Sequence, residues 1–265
     1  MLKGFYTAAS GMIAQQRRTE ILTNNLGNAN TPGFKADLTA VRSFPNMLLS
    51  RIDGEATGRQ GDISPVGSLG TGVYVQETLP NFGQGSLRET AIPTDIALTN
   101  GVLPEGSAIF FRLEGQDGEL YTRNGSFTLD ASGDLVNPQG FYVLSDTGER
   151  IRLANDDFTV TAEGFIRQNG ADVARIGVAL SLQPEQLTKT GNGLFQAAGG
   201  ALPSAYGGAA DFSLRQGFLE QSNVDAARTM TDLMAAYRTF EANQKVLQAY
   251  DRSMERAVNE IGRVN

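Results

Sequence analysis

The chain has nine prolines, all between Pro32 and Pro203, and this distribution constrains its 265 residues more than any other feature. Proline lacks a backbone N–H and its ring collides with the preceding turn, so proline-free ends are where long helices can form. Glycine follows the same division: it is frequent in the middle and, after Gly217, occurs only at Gly262. Both ends are therefore helical candidates and the middle is not.

Steps of four and three from Ala226 reach Met230, Leu233, Tyr237, Phe240, Gln244, Leu247, Asp251, Met254, Val258 and Ile261. This is a heptad seam with polar breaks at Gln244 and Asp251. Ser222 with Asp225 reads as a capping-box start and Gly262 as a stop, which predicts a helix over about 223–261, about 60 Å long at ~1.5 Å per residue. The first 26 residues carry a weaker stripe of Leu2, Phe5, Ala9, Met12, Ile13, Ile21, Leu22 and Leu26, interrupted by the polar run 15–20. Stripes of similar kind at opposite ends suggest that the two helices pair. A helix as long as the C-terminal one needs further neighbours, since ordering its backbone costs more than its seam alone returns.

Between the ends, turn signals recur at Gln116-Asp117-Gly118, Asn124-Gly125, Ser132-Gly133, Asn137-Pro138, Thr147-Gly148, Glu163-Gly164 and Asn169-Gly170. Short apolar or alternating runs lie between them, an all-β pattern. The predicted fold class is α+β: a discontinuous domain of paired, coiled-coil-like N- and C-terminal helices bracketing a central, mainly β domain. The expected boundaries are 1–37 for the first helix and turn, 38–75 for an extended or flexible insertion rich in glycine, 76–215 for the β domain and 216–265 for the last helix.

Composition narrows function. With no cysteine, histidine or tryptophan, the chain lacks the commonest general base near neutral pH, the commonest zinc ligands and the Ser-His and Cys-His nucleophile pairs. The net charge of -7 falls as +2 on residues 1–37, 0 on 223–265 and -9 between. An acidic centre without a basic stripe argues against nucleic acid as the partner. No apolar run approaches the roughly 18 residues of a membrane span, so no membrane insertion is expected. Tyr6, Thr7 and Ser10 interrupt the one stretch that resembles a signal peptide, so no cleaved signal is expected.

The residues Leu22 to Asp37, "LTNNLGNANTPGFKAD", crowd four asparagines (24, 25, 28 and 30) into the end of the first helix. Asparagine bonds neighbouring backbone and tolerates left-handed conformations, which suits a helix end, and Pro32-Gly33 fits the centre of a type II turn.

Together with Ser10-Gly11-Met12, the residues Asn24-Asn25, Asn28, Thr31, Gly33, Phe34 and Lys35 resemble the N-terminal signature of the bacterial flagellar rod and hook family. Gln216, Gly217, Phe218, Leu219, Glu220, Gln221, Ser222, Asn223, Val224 and Asp225 resemble that family's lead into its C-terminal helix, where Arg238, Phe240, Glu241 and Lys245 also match. Tyr121 to Phe127 with Asp130, Gly133 and Leu135, and the block Gly191 to Phe195, resemble its β-domain signatures. One departure is 101–111, "GVLPEGSAIFF", longer and more polar than the strand expected there.

The resemblance covers nearly the whole chain. It implies a structural axial subunit of the flagellar basal-body rod, of proximal or distal type, exported without a cleaved signal through the flagellar export apparatus. It further implies polymerisation with copies of itself and with other rod and hook proteins. Leu2, Phe5, Met12, Leu26, Met230, Leu233, Tyr237, Phe240, Leu247 and Met254 are the expected assembly interface, and Asn24, Asn25, Asn28, Thr31, Gly33, Phe34, Gln216, Gly217, Ser222, Asn223 and Val224 the expected junction.

A hook-type axial protein and a secreted adhesin or tail-fibre-like protein are the alternatives. In an adhesin stalk, however, the coiled coil is ordinarily one continuous segment rather than two bracketing a β domain. A peptidoglycan-acting enzyme would draw its carboxylates from Asp156, Asp157 and Glu163, or from Glu114, Asp117 and Glu119. These sit at turns and read as solvated. Asp130 to Asp134 lacks the later ligands of a calcium loop, and no helix follows Gly67, Gly70 and Gly72 to hold a phosphate. No catalytic residue, cofactor or metal is expected.

Overall fold

The computed structural model describes residues 2–52, 63–116, 118–208 and 210–261. Gly54, Gly58, Gly61, Asp117, Gly262 and the side chains of Leu2 and Ile261 therefore lie outside the described residues. The chain divides into two compact units, one of Met1–Leu26, Asp37–Leu79 and Ala226–Asn265, the other of Gly27–Ala36 and Pro80–Asp225.

In the first unit, α1 (Leu2–Gly27) precedes four strands, β1 (Asp37–Ser43), β2 (Met47–Ile52), β3 (Ile63–Leu69) and β4 (Val73–Pro80). They pair as two ribbons, β1 with β4 and β2 with β3. The described parts of 38–75 are thus mostly extended strands paired as ribbons. Helix α2 (Ala226–Ile261) completes the unit.

The expected coiled-coil pairing of the two helices is corrected. The structure has one helix at each end of a mostly β chain, and alternate positions of the expected seam are left open: Met230 is 46% exposed, Tyr237 56% and Val258 71%. The most covered stripe of α2 instead runs through half-buried Leu233, buried Ala236 and half-buried Phe240, Asn243, Leu247, Tyr250 and Met254. This stripe shares Leu233, Phe240, Leu247 and Met254 with the expected seam but takes the preceding residue at each alternate step. The physical reason is close approach by small residues: a Cβ at Gly4 would lie 2.0 Å from the Tyr250 hydroxyl and one at Gly11 3.0 Å from Asn243. The start of α2 is corrected too. It begins at Ala226, and the Ser222 hydroxyl accepts from the Val224 N–H rather than capping the helix.

The second unit runs through β5 (Leu87–Glu89), β6 (Ile96–Asn100), β7 (Ala108–Gly115), β8 (Gly118–Thr122), β9 (Thr128–Leu129), β10 (Leu135–Val136) and β11 (Thr159–Val160). It continues with β12 (Phe165–Gln168), β13 (Ala171–Arg175), β14 (Val178–Ser181), β15 (Leu187–Gly191), β16 (Leu194–Ala197), β17 (Phe212–Gln216) and β18 (Phe218–Glu220). Its main sheet has the order β14-β7-β8-β16-β15. Strand β7 opens with four buried apolar residues because both its faces are covered. Ile109, Phe111 and Leu113 point into the larger core with Phe127, Leu135, Val143 and Ile176. Ala108 and Phe110 point into a smaller one with Tyr121 and Phe195. The polar part of the divergent run, 101–107, is the loop before β7, and its apolar end starts the strand. Asn169 and Gly170, both at positive φ, close the two-residue hairpin between β12 and β13. Antiparallel pairs β6–β17 and β5–β18 join the beginning of this unit to its end.

Candidate functional site

Where the chain enters the second unit after α1 and where it leaves before α2, the two passages are bound to each other. After α1 ends, the Thr31 N–H donates to the Asn28 carbonyl (3.1 Å) and the Phe34 N–H to the Thr31 carbonyl (3.3 Å), with Pro32 and Gly33 at the bend. Gly33 has φ +68°, and a Cβ there would sit 2.4 Å from the Arg123–Asn124 peptide, so glycine is required on two counts. Its N–H donates to the Glu220 carbonyl at 2.8 Å. Phe34 is buried beside it, with the Lys189 ammonium 4.4 Å from its ring centre.

Three charges meet below this bend. The Lys35 Nζ lies 2.6 Å from Glu220 Oε1, and the Arg123 Nε 2.8 Å from Glu220 Oε2. All three side chains are only 1–2% exposed. Burial of this depth is tolerated because the remaining polar atoms are bonded. Arg123 donates to the Ile109 carbonyl and to Asn100 Oδ1, Lys35 to the Gly83 carbonyl, and the Gly85 N–H to Glu220 Oε1. Asn223 closes the knot: its Oδ1 accepts from the Ala36 N–H, and its Nδ2 donates to the carbonyls of Asn81 and Gly83.

With all three ionised, the cluster carries one excess positive charge. Burial pushes the Lys35 amine down, Glu220 pulls it up and Arg123 pushes it down again, leaving it at about 8. Burial raises the Glu220 carboxyl, but Arg123 and then Lys35 hold it below the usual carboxylate value. The two partners move as expected for one anion facing two cations. Because Lys35 titrates lower in the folded chain than its ordinary 10.5, the unfolded chain binds more protons between those values. Stability therefore rises with pH from about 8 to about 10.5, by on the order of 3 kcal/mol. Urea unfolding at pH 7.5 and pH 10 is expected to show this gain in the wild type and to lose it in Lys35→Met.

The other junction residues are placed as follows. Asn25, buried in the first unit, pairs with the backbone of Asp37: its Nδ2 donates to the carbonyl and its Oδ1 accepts from the N–H. This amide pair ties the end of α1 to the start of β1. Asn24 is exposed on α1, and Asn28 Oδ1 accepts from the Thr31 hydroxyl. Gln216 bridges three segments, donating to the Pro93 and Phe158 carbonyls and accepting from the Val160 N–H. Gly217, at φ +76°, accepts from the Thr90 N–H. Val224 is half-buried just before α2. Lys35, Arg123 and Glu220 are the residues that sequence reasoning missed as a site. Their only signal was that each stood inside a different signature block.

Among the expected interface residues, Phe5, Met12, Leu26, Leu233, Phe240, Leu247 and Met254 are half-buried, while Met230 and Tyr237 are exposed. The candidate enzyme carboxylates are otherwise engaged or exposed: Glu114 pairs with Arg150 and Glu119 with Arg112, and Asp156, Asp157 and Glu163 are exposed, while Asp134 of the calcium-like loop pairs with Arg152. Among the described residues no three acids gather as a metal site, and no helix is long and apolar enough to cross a membrane.

A β domain whose first and last passages are knotted together, with a helix on each end of the chain, defines a class of structural subunit. The comparisons make that class specific. Residues 5–35 match the family described as "Flagella basal body rod protein", 105–170 "Flagellar hook protein FlgE/F/G D1 domain" and 215–260 "Flagellar basal body rod FlgEFG protein C-terminal". The chain is 45% identical to the flagellar hook-basal body complex protein FlhO of Bacillus subtilis, over the whole of both chains. It is 31% identical to the flagellar basal-body rod protein FlgG of Borreliella burgdorferi over 98% of each chain, and 30% identical to FlgF of Caulobacter vibrioides over all of both. The chain belongs to the flagellar basal-body rod protein family.

Proposed function

We propose that this structural rod subunit polymerises through its terminal helices, forming part of the shaft that links motor and hook. The observation carrying this reading is the apolar face of α2 left open to solvent, Met230, Met234 and Tyr237. Exposed apolar stripes at helical spacing mark surfaces meant for a partner. Copies of this chain and other axial flagellar proteins are the partners, and the flagellar export apparatus is the route by which subunits reach the rod. Catalysis has no part in this reading.

The knot around Glu220 gives the polymer a rigid outer unit, and the helices supply the contacts. Tyr237→Asp is expected to abolish assembly of the full chain, seen by electron microscopy, while the circular dichroism of the β domain stays unchanged. Normal filaments from that variant would remove α2 from the assembly surface.

A further inference from the structure

The first unit holds, besides the open face of α2, an open groove of about 590 Å³. Ile13, Arg17 and Ile21 of α1 form one side, and Phe44 with Tyr74 and Glu77 of β4 the other. Its walls are fixed in advance: the Ser10 hydroxyl accepts from the Val73 N–H, the Thr7 hydroxyl donates to the Thr71 carbonyl, and Gly72 approaches Ser10 so closely that a Cβ would lie 2.2 Å from its oxygen. Phe44 and Tyr74 stack at 5.1 Å, and Ile13 is 60% exposed. A preformed apolar groove needs little ordering to bind, which favours a rigid occupant.

A rigid occupant of fitting chemistry is on the same chain. Met230, Met234, Tyr237 and Glu241 recur at i, i+4, i+7 and i+11 on α2, roughly 130° around the helix from its half-buried stripe. The pattern is that of a helix docking into a groove. Arg238 flanks Tyr237, so the stripe carries one acid and one base, and the groove carries Arg17 and Glu77. Neither Glu77 nor Glu241 has an ion-pair partner among the described residues. Among the described residues Arg17 has one ion-pair partner, the exposed Glu20 one turn away.

The geometry points to a heterologous contact between two copies: the groove between α1 and β4 of one receives Met230, Met234 and Tyr237 of the other, with Glu241 against Arg17 and Arg238 against Glu77. This rests on the assembly reading above and names its surfaces. Because groove and stripe are different patches, each copy can give one and receive one. A contact of that kind propagates into an open helical array unless its rotation closes a ring.

The absence of cysteine from the chain makes the contact directly testable. Full-length Gln76→Cys, on the groove wall, and Met234→Cys, on the stripe, are mixed at assembling concentration with a mild oxidant and run without reductant. The expected product is the mixed 76–234 dimer, at least tenfold over either like-with-like dimer, since a disulfide forms only between Cα atoms within about 7 Å. Adding Arg17→Glu to the first chain should cut that yield at least tenfold, and adding Glu241→Arg to the second should restore it. Filaments that form without the 76–234 cross-link would overturn this contact and leave assembly through the helices standing. A wild-type chain that stays monomeric at every concentration, with no cross-link, would overturn both.

Discussion

Glu220→Gln is expected to destabilise the second unit by about 3 to 5 kcal/mol, because it leaves Lys35 and Arg123 facing each other in a buried site without an anion. Whichever way the glutamine amide is turned, its NH2 would face a donor, the Arg123 Nε–H on one side or the Lys35 ammonium and Gly85 N–H on the other, all of which now donate to the carboxylate. Lys35→Met should behave differently. It leaves Glu220 bonded to Arg123 and Gly85, and the Gly83 carbonyl keeps its bond from Asn223, so no polar atom is orphaned. Its cost should stay within about 1 kcal/mol. Urea unfolding of both variants at pH 6, where Lys35 is charged, reads the contrast. Equal losses from the two would mean that the cluster acts by packing rather than by charge.

Gly33→Ala is expected to cost at least about 3 kcal/mol, combining a left-handed backbone with a Cβ thrust into the Arg123–Asn124 peptide. Backbone on one side and a turn on the other leave no side chain that could move aside. Gly27→Ala is the matched control, since nothing lies within 4 Å of a Cβ there and the residue ends α1. That change should be neutral or stabilise by up to about 1 kcal/mol. Thermal unfolding of the two variants separates a requirement for glycine in the bend from general sensitivity of the region. A Gly33→Ala protein as stable as the wild type would mean that the bend does not hold the two passages together.

The helical ends were legible because the positions of proline and glycine are a local property of the chain. The phase of the buried stripe on α2 was not. Met230 and Tyr237 are strongly apolar and Asn243 is not, yet the small residues Gly11 and Gly4 give Asn243 and Tyr250 room for close approach, a fact held in another part of the chain. The β character of the middle followed from turn signals such as Asn169-Gly170. Its layout did not, since β9, β10 and β11 have two residues each and show no period. The knot was least visible. Lys35 and Glu220 are 185 positions apart and Arg123 and Glu220 97, and no local pattern says which of the chain's charges will meet. Asn25 was singled out for the backbone-bonding habit of asparagine, but its partner, the Asp37 backbone, emerged only with the fold.

Hydrogen exchange, compared residue by residue between the dilute chain and its assembled form, tests most directly whether the terminal helices are the assembly surface. Amides of α1, α2 and β4 should gain protection on assembly, while those of β7 and β8, already enclosed in the second unit, should not change. New protection confined to the second unit, with α2 exchanging as fast as before, would contradict assembly through the helices.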